Sequence, residues 1–329
     1  MKKKYQNAFF IFGIAVLVVM VTQLDFAQVL DGLRRAGYWF GAVVALWLFL
    51  YMFNTSAWYI IIASTGCSNR GEPLRRPKEV GFWWLYKITV SGFALNYTTP
   101  CGLMGGEPYR IMALAPRIGT ERASASVILY AMTHIFSHLW FWLLSCLLYV
   151  ATQPMNIAMG IMLAIVAALC GVAIWFFIKG YKKGIAVRCM NILSHFPGLK
   201  RHSEQLATID SQIAALHNQN PRAFVSAVLL ELACRVTSAL EIYFVLLVIM
   251  PHANFLQCVL ILAFTSLFAN MLFFMPLQLG GREGGFLMSA KGLALTANAG
   301  ILIALIVRIR ELIWTAIGLL LIKFDKKRS

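Results

Sequence analysis

Long apolar segments recur along this chain and constrain its fold more than any other feature. They run over residues 8–24, 38–64, 123–150, 157–177, 223–250 and 301–322. About 20 apolar residues suffice for a helix to cross a bilayer. Because 60% of the residues are hydrophobic and only 13% are charged, a soluble domain of this size could not bury its apolar surface. A backbone in lipid must satisfy its own hydrogen bonds. We therefore expect an all-α integral membrane protein.

A short polar cassette occurs twice within this apolar sequence. The copies are Pro-Cys-Gly-Leu-Met-Gly-Gly-Glu at 100–107 and Pro-Leu-Gln-Leu-Gly-Gly-Arg-Glu at 276–283. Both have Pro first, Leu fourth, Gly sixth and Glu eighth, and an arginine lies close by, Arg110 or Arg282. Proline and glycine are what a broken helix requires. Paired breaks of this kind, one in each half of a membrane chain, indicate a translocation site.

The distribution of basic residues predicts the topology. The N-terminal lysines, the C-terminal tail and the basic segments 65–79 and 179–221 should be cytoplasmic, and the uncharged turns 151–156 and 251–254 should lie outside. The first cassette would then enter and leave from the cytoplasm, and the second from the opposite side. We expect about six full transmembrane helices plus two oppositely oriented re-entrant helical hairpins, an inverted repeat. Both termini would be cytoplasmic, in a bacterial inner membrane.

This topology has one open alternative and implies a simple domain organisation. Residues 81–99 and 255–275 are each long enough to cross the bilayer fully. We expect a single polytopic domain over 1–329. Its predicted parts are a first half 1–180 with its cassette at 96–110, an amphipathic cytoplasmic connector 181–221, and a second half 222–329 with its cassette at 276–286.

Ionisable residues beside the cassettes are the candidate site. Such a group near the bilayer centre costs about 2.5–3.5 kcal/mol on insertion scales, so it usually has a function. We predict that Arg110, Arg282 and Arg308 hold a phosphate. Glu107 and Glu283 would receive an amine or a coupling proton, and backbone amides of the glycine turns would add anion affinity. The complete predicted set is Asn96, Gly105, Gly106, Glu107, Arg110, Gly280, Gly281, Arg282, Glu283 and Arg308.

The alternative is that these ions only lock helices together as buried pairs. We favour that interpretation for Glu231, Arg235 and Glu241, of which the first two have the i,i+4 spacing of a helical ion pair. Arg308 and Arg310 cannot share a helix face, so one of them should meet a cassette carboxylate.

The sequence predicts neither a metal nor a cofactor. His134 and His138 have the i,i+4 spacing that zinc could use, but no H-E-x-x-H pattern accompanies them, and we interpret them as structural. No G-x-x-x-x-G-K-[ST] motif is present, so ATP hydrolysis is not expected.

The motif Pro100-x-Gly102-x-x-Gly105-Gly106-Glu107-x-x-Arg110, with Pro276-x-x-Leu279-Gly280-x-Arg282-Glu283 later, resembles the lysylphosphatidylglycerol synthase transmembrane region, or flippase-like family. The resemblance covers most of the chain, and Arg308 matches an arginine that the family tends to place in its last span. It implies movement of aminoacylated phosphatidylglycerol between leaflets. Lipid synthesis in that family belongs to a separate soluble domain. Because this chain ends at Ser329, soon after its last span, we do not expect catalysis from it alone.

From these observations we expect a flippase-like protein that binds or translocates a lipid at a mid-membrane polar cavity. The lipid would be an anionic or aminoacylated phospholipid, or a polyprenyl phosphate. Two alternatives stay open: a component of phosphatidylglycerol lysylation, and an accessory subunit of a membrane lipid or glycosyl transferase. A soluble lipid-modifying enzyme is a possible partner. Nucleic acid is not an expected partner, because the excess of 29 Lys and Arg over 13 Asp and Glu lies in loops and tails. Homo-oligomerisation is left open.

Overall fold

The computed structural model describes residues 11, 18, 26–65, 80–98, 105–183, 221–250, 252–271, 281–293 and 295–324. Most of the first predicted span, most of the connector, Gly280 and the C-terminal tail lie outside these residues, as do the prolines of both cassettes.

Ten α-helices make up the described part, which contains no strand and confirms the all-α prediction. They are α1 (Phe26–Ala36), α2 (Tyr38–Ser64), α3 (Phe82–Thr98), α4 (Gly106–Ile118), α5 (Thr120–Thr152), α6 (Ile157–Lys183), α7 (Pro221–Leu246), α8 (Phe255–Met271), α9 (Gly281–Gly292) and α10 (Ala297–Phe324). Four of them, α2, α5, α6 and α7, are long and apolar enough to cross a membrane. Helix α10 has 28 residues but contains charged residues at its centre.

The junction of α4 with α5 shows how local sequence sets a helix boundary. Glu107 lies in the first turn of α4, where a carboxylate interacts favourably with the helix dipole. Gly119 ends that helix with φ of 85°, a backbone conformation that glycine adopts without steric cost. Helix α5 begins at the next residue.

The helices that flank the first cassette, α3 and α4, fold back on each other. Asn96 near the end of α3 donates a hydrogen bond to Glu107 at 3.0 Å. Farther from the turn, Arg110 reaches the Thr89 carbonyl at 3.5 Å. A Cβ on Gly106 would lie 2.2 Å from the Gly92 carbonyl oxygen. Glycine is therefore required at position 106 for the two backbones to pack this closely.

The helices that flank the second cassette, α8 and α9, pack in the same way. The hydroxyls of Thr265 and Ser289 are 3.3 Å apart across the helix pair. Gly285 packs on the backbone of Thr265, where an added Cβ would be 3.3 Å from its Cα. In sequence, each cassette thus follows the first helix of an antiparallel pair and ends in the first turn of the second helix.

Helices α2 and α7 form a central antiparallel pair. Asn54 donates to Glu231 at 3.0 Å, and Trp47 donates to Glu241 at 3.1 Å. The α3–α4 pair starts beside the C-terminal part of α2, where the rings of Tyr59 and Phe82 are 6.0 Å apart. The α8–α9 pair starts beside the C-terminal part of α7, with the rings of Tyr243 and Phe255 at 6.2 Å. The two helix pairs therefore begin at opposite ends of α2 and α7.

Each of these pairs also packs on a long helix from the other half of the chain. In α3, Ser91 donates to the carbonyl of Gly318 in α10 at 3.0 Å. In α5, Trp142 donates to Ser266 in α8 at 2.9 Å. The first pair thus packs on α10 through its first helix, α3, and the second pair packs on α5 through its first helix, α8.

Two apolar clusters surround the two helix pairs. One packs around α3 and α4 and includes Trp58, Leu85, Leu114, Leu129 and Ile322. The other packs around α8 and α9 and includes Val43, Ile242, Leu260, Phe286 and Ile303. Polar side chains are concentrated where α3, α8 and α9 meet the middle of the long helices.

Candidate functional site

A cavity of about 470 Å³ lies among α2, α3, α5, α7, α8, α9 and α10. Its ionisable and amide-bearing lining residues are Asn54, His134, His138, Glu231, Arg235, Glu241, Asn270, Arg282, Arg310 and Glu311. Aromatic residues, Trp47, Tyr51, Phe93 and Trp314 among them, complete the wall.

The cavity lies at half the height of the long helices. Helix α7 has 26 residues and a length of roughly 39 Å, and Arg235 lies near its centre. His134 in α5 and Arg310 in α10 are equally central in their own helices. Tyr97, next to the last residue of α3, and Arg282, the second residue of α9, lie at this level. Two helix ends and several ionisable side chains therefore meet at one depth.

Glu231 forms the first polar cluster of the cavity. Its carboxylate accepts a hydrogen bond from Asn54 at 3.0 Å and lies 2.9 Å from Nδ1 of His134. Arg235, one helical turn later, is 4.0 Å from the same carboxylate. Arg235 also donates to the Ser137 hydroxyl at 3.0 Å and to the His134 carbonyl at 2.9 Å. This cluster joins α2, α5 and α7.

Arg310 and Glu241 form the second cluster. Two guanidinium nitrogens of Arg310 lie 2.7 and 2.8 Å from the two oxygens of Glu241. Trp47 donates to the same carboxylate at 3.1 Å, and its ring lies 3.9 Å from the Arg310 guanidinium carbon. Bidentate arginine–carboxylate pairs combine strength with a fixed orientation. This cluster holds α7 and α10 together beside α2.

The third cluster connects the second cassette to α10. Arg282 forms an ion pair with Glu311 and donates to the Tyr97 hydroxyl at 2.7 Å. Glu283 accepts from Arg308, whose Nε lies 3.0 Å from the carboxylate. Arg308 therefore meets a cassette carboxylate while Arg310 faces α7, which confirms the prediction that the two arginines face different sides.

The predicted site residues of the second cassette lie at or beside the cavity. Arg282 lines the cavity itself. Glu283 and Arg308 line a small recess next to it, together with Arg282 and Glu311. Gly281 is buried at the start of α9, and Gly280 lies outside the described residues.

The predicted site residues of the first cassette are placed differently. Asn96 binds both Glu107 and the backbone amide of Gly106, at 3.0 and 2.7 Å, and Gly105 precedes α4 as its N-cap. Arg110 is 3.5 Å from Glu107 and is not among the residues that line the cavity. These side chains fasten α4 to α3.

Aromatic rings surround the Arg110 guanidinium. They are Phe93 at 4.7 Å, Tyr130 at 5.3 Å and Trp58 at 5.7 Å from its central carbon. A guanidinium in such a position is stabilised by the electron-rich ring faces.

Sequence reasoning treated Glu231, Arg235 and Glu241 as helix locks and the two histidines as structural, and the structure places all five around the cavity. For Arg235 and the two histidines, the available signal was their position near the centre of apolar helices. Among the described residues, no group of three or more His, Cys, Asp or Glu side chains could hold a metal ion.

Long apolar helices that surround a cavity of buried ion pairs define a multi-pass membrane protein with an internal polar site. The family described as Lysylphosphatidylglycerol synthase TM region matches residues 8–318, and this chain belongs to that family. The matched range includes both cassettes and confirms the resemblance seen in the sequence. No match was found among curated proteins or among solved structures.

Proposed function

We propose that this protein moves a phosphate-bearing lipid between the two leaflets, with the headgroup passing through the central cavity. One observation supports this most strongly: ionised residues line a space of about 470 Å³ at half the height of apolar helices. Burying such charges is costly, and membrane proteins retain them mainly along substrate pathways. The acyl chains would stay in the surrounding lipid while the headgroup crosses.

The proposed scaffold consists of two re-entrant hairpins, α3–α4 and α8–α9, that enter from opposite faces as an inverted repeat. Their helices have 17, 13, 17 and 12 residues. At about 1.5 Å per residue, each is shorter than the roughly 30 Å hydrocarbon core. The start of the two pairs at opposite ends of α2 and α7 supports the opposed orientation. Half-helices that end at a midplane site occur in many transporters.

The ion pairs suggest how a headgroup phosphate can be accepted. Glu311 pairs with Arg282 and is also 3.8 Å from both Arg308 and Arg310. A phosphate can therefore take the place of Glu311 on Arg282, while Glu311 keeps two cationic neighbours. Such an exchange avoids leaving a carboxylate without compensation in the membrane interior.

The proposed location is the inner membrane of a bacterium, with both termini in the cytoplasm. The basic segments at the N-terminus, at 65–79, at 179–221 and at the C-terminus support this orientation.

A vesicle assay tests the proposal. The purified full chain is reconstituted into vesicles that contain fluorescent phosphatidylglycerol, and a membrane-impermeant reductant is added outside. Without protein, only the outer-leaflet label is bleached; with protein, bleaching of the inner-leaflet label is expected. Arg282→Gln should slow this phase, and Lys291→Gln, an exposed cation on the same helix, should not. Bleaching that stops at the outer leaflet in the presence of folded protein contradicts the proposal.

A further inference from the structure

We infer that the cavity selects a net-anionic headgroup that has a phosphate and no amine. This inference rests on the proposed function and narrows its substrate class. It departs from the aminoacylated lipid that the family resemblance suggested, and it depends on which charged atoms face the open space.

The acidic side chains that line the cavity are almost fully buried, and two of its guanidinium groups are partly exposed. The carboxylates of Glu231, Glu241 and Glu311 are 1%, 5% and 2% exposed. Arg235 and Arg282 are 12% and 23% exposed. Within the cavity a headgroup therefore meets positive charge first. Glu283, which is 38% exposed in the adjoining recess, is paired with Arg308.

Each of these three carboxylates already has cationic or hydrogen-bonding partners from the protein. Glu231 interacts with Asn54, His134 and Arg235. An ammonium group would have to displace such a partner and leave it uncompensated in a region of low polarity, which is strongly unfavourable. Glu241 and Glu311 are held in the same way by Arg310 and Arg282. No amine of a ligand is needed to balance the cavity.

The two exposed guanidiniums have donors left for a ligand. Among the described residues, Arg282 makes its two hydrogen bonds through Nη1, and Arg235 uses Nε and Nη2. Since a guanidinium has five N–H donors, each of these arginines can still donate to phosphate oxygens.

His138 also lines the cavity. Its ring packs against those of His134 and Trp142, with centroids 5.4 and 5.3 Å apart. Its Nδ1 atom is buried and has no hydrogen-bond partner among the described residues. Buried polar atoms of proteins are rarely left without a partner. A rotation of the ring that turns this atom toward the cavity would let a ligand oxygen supply one.

The recognised chemistry, a phosphate with a net negative charge, is shared by two kinds of lipid. One is a phosphodiester such as phosphatidylglycerol. The other is a phosphomonoester such as phosphatidic acid or a polyprenyl phosphate. Both lack an amine, and the assay below separates them.

Binding to the full chain in detergent is measured by native mass spectrometry with four probes: phosphatidylglycerol, phosphatidic acid, phosphatidylethanolamine and lysylphosphatidylglycerol. We expect at least one of the first two to bind roughly tenfold more tightly than either amine-bearing lipid, the ratio expected from one additional charged hydrogen bond. Tighter binding of phosphatidic acid would assign the site to phosphomonoesters. Equal or tighter binding of an amine-bearing lipid overturns the inference, as does the absence of binding by all four.

Variants locate the selectivity. Arg282→Gln and Arg235→Gln should each remove most of the preference for anionic lipid, and Lys291→Gln should keep it. The double variant Arg282→Gln with Glu311→Gln keeps the internal charge balance, so a folded double variant without selectivity assigns the effect to the lost donor. If Arg282→Gln, Arg235→Gln and the double variant all keep the preference for anionic lipid, the assignment is overturned.

The inference and the proposed function fail in different experiments. Selective binding without transfer in the vesicle assay contradicts translocation and leaves the headgroup assignment intact. Transfer of lysylphosphatidylglycerol in preference to phosphatidylglycerol supports translocation and contradicts the headgroup assignment.

Discussion

Arg310 of α10 binds Glu241 of α7 through two parallel hydrogen bonds of 2.7 and 2.8 Å. Both side chains are almost fully buried, at 4% and 5% exposure. The pair therefore joins α10, which follows the α8–α9 pair, to α7, which packs on α2. Its geometry makes the stability of the bundle depend on both charges together.

Removing one charge of this pair should cost far more than removing both. Arg310→Met leaves the buried Glu241 carboxylate without its cation, at a cost of about 3–5 kcal/mol. Glu241→Leu leaves Arg310 with only the more distant Glu311, 3.8 Å away, and should also be strongly destabilising. The double variant should be more stable than either single variant. Thermal unfolding in detergent measures all three, and additive losses would show that the pair contributes little as a unit.

Gly106→Ala should destabilise the α3–α4 hairpin. The added Cβ would lie 2.2 Å from the Gly92 carbonyl oxygen, and overpacking of this kind typically costs about 1–3 kcal/mol. Gly171→Ala in α6 is the matched control, since its Cβ would meet nothing within 4 Å and alanine favours a helix. A melting temperature of Gly106→Ala equal to that of the control would contradict the packing described here.

The proposed opposite orientation of the two hairpins predicts a labelling pattern. In a background with all seven cysteines replaced, Thr120→Cys should react with an impermeant maleimide only from the cytoplasmic side. Thr296→Cys should react only from the outside. Both positions are exposed in the structure. Intact cells and inverted vesicles provide the two sides, and reaction of both residues on one side would refute the inverted arrangement.

A larger side chain in the cavity should block transfer without changing any charge. Ser238 of α7 lines the cavity, so Ser238→Phe is expected to reduce lipid transfer in vesicles to the protein-free rate. Val236→Phe is the control, because Val236 lies on the same helix and is 39% exposed. If both variants transfer lipid at the wild-type rate, the path does not run through this space.

Arg110 should matter for stability rather than for lipid choice. Its guanidinium lies among Phe93, Tyr130 and Trp58 and does not line the cavity. Arg110→Gln is expected to lower the melting temperature, because it removes a buried charge next to Glu107. The folded fraction should keep the lipid preference of the wild type in the mass-spectrometric assay. A lost preference would support the phosphate-binding role that the sequence predicted.

The sequence was most informative where an interaction is local or where a residue type has a single use. Glu231 and Arg235 are neighbours on a helix, and their proximity follows from i,i+4 spacing alone. Gly106 stands where two backbones approach closely. The contact of Arg308 with a cassette glutamate was also anticipated, because two arginines two residues apart cannot face the same way.

Other contacts could not be predicted, because they join residues far apart along the chain. Asn54 and Glu231 are separated by 177 positions, and Trp47 and Glu241 by 194. Their proximity depends on the register and rotation of α2 against α7. For the same reason, the sequence showed Glu283 as the neighbour of Arg282 but did not indicate that Arg282 would pair with Glu311.

The lengths of the apolar segments were sufficient by themselves to predict an all-helical membrane protein, since bilayer thickness and backbone hydrogen bonding act on each segment separately. The residues of the two cassettes were sufficient to indicate the family by resemblance. Only the tertiary structure decided which ions face the cavity. In the folded chain Arg235 and Arg282 are partly exposed at the cavity, and the carboxylates that they pair with are buried. The Arg110 guanidinium lies among aromatic rings. The reason is geometric: the neighbours of a buried charge are set by how helices from distant parts of the chain rotate and slide against each other as they pack.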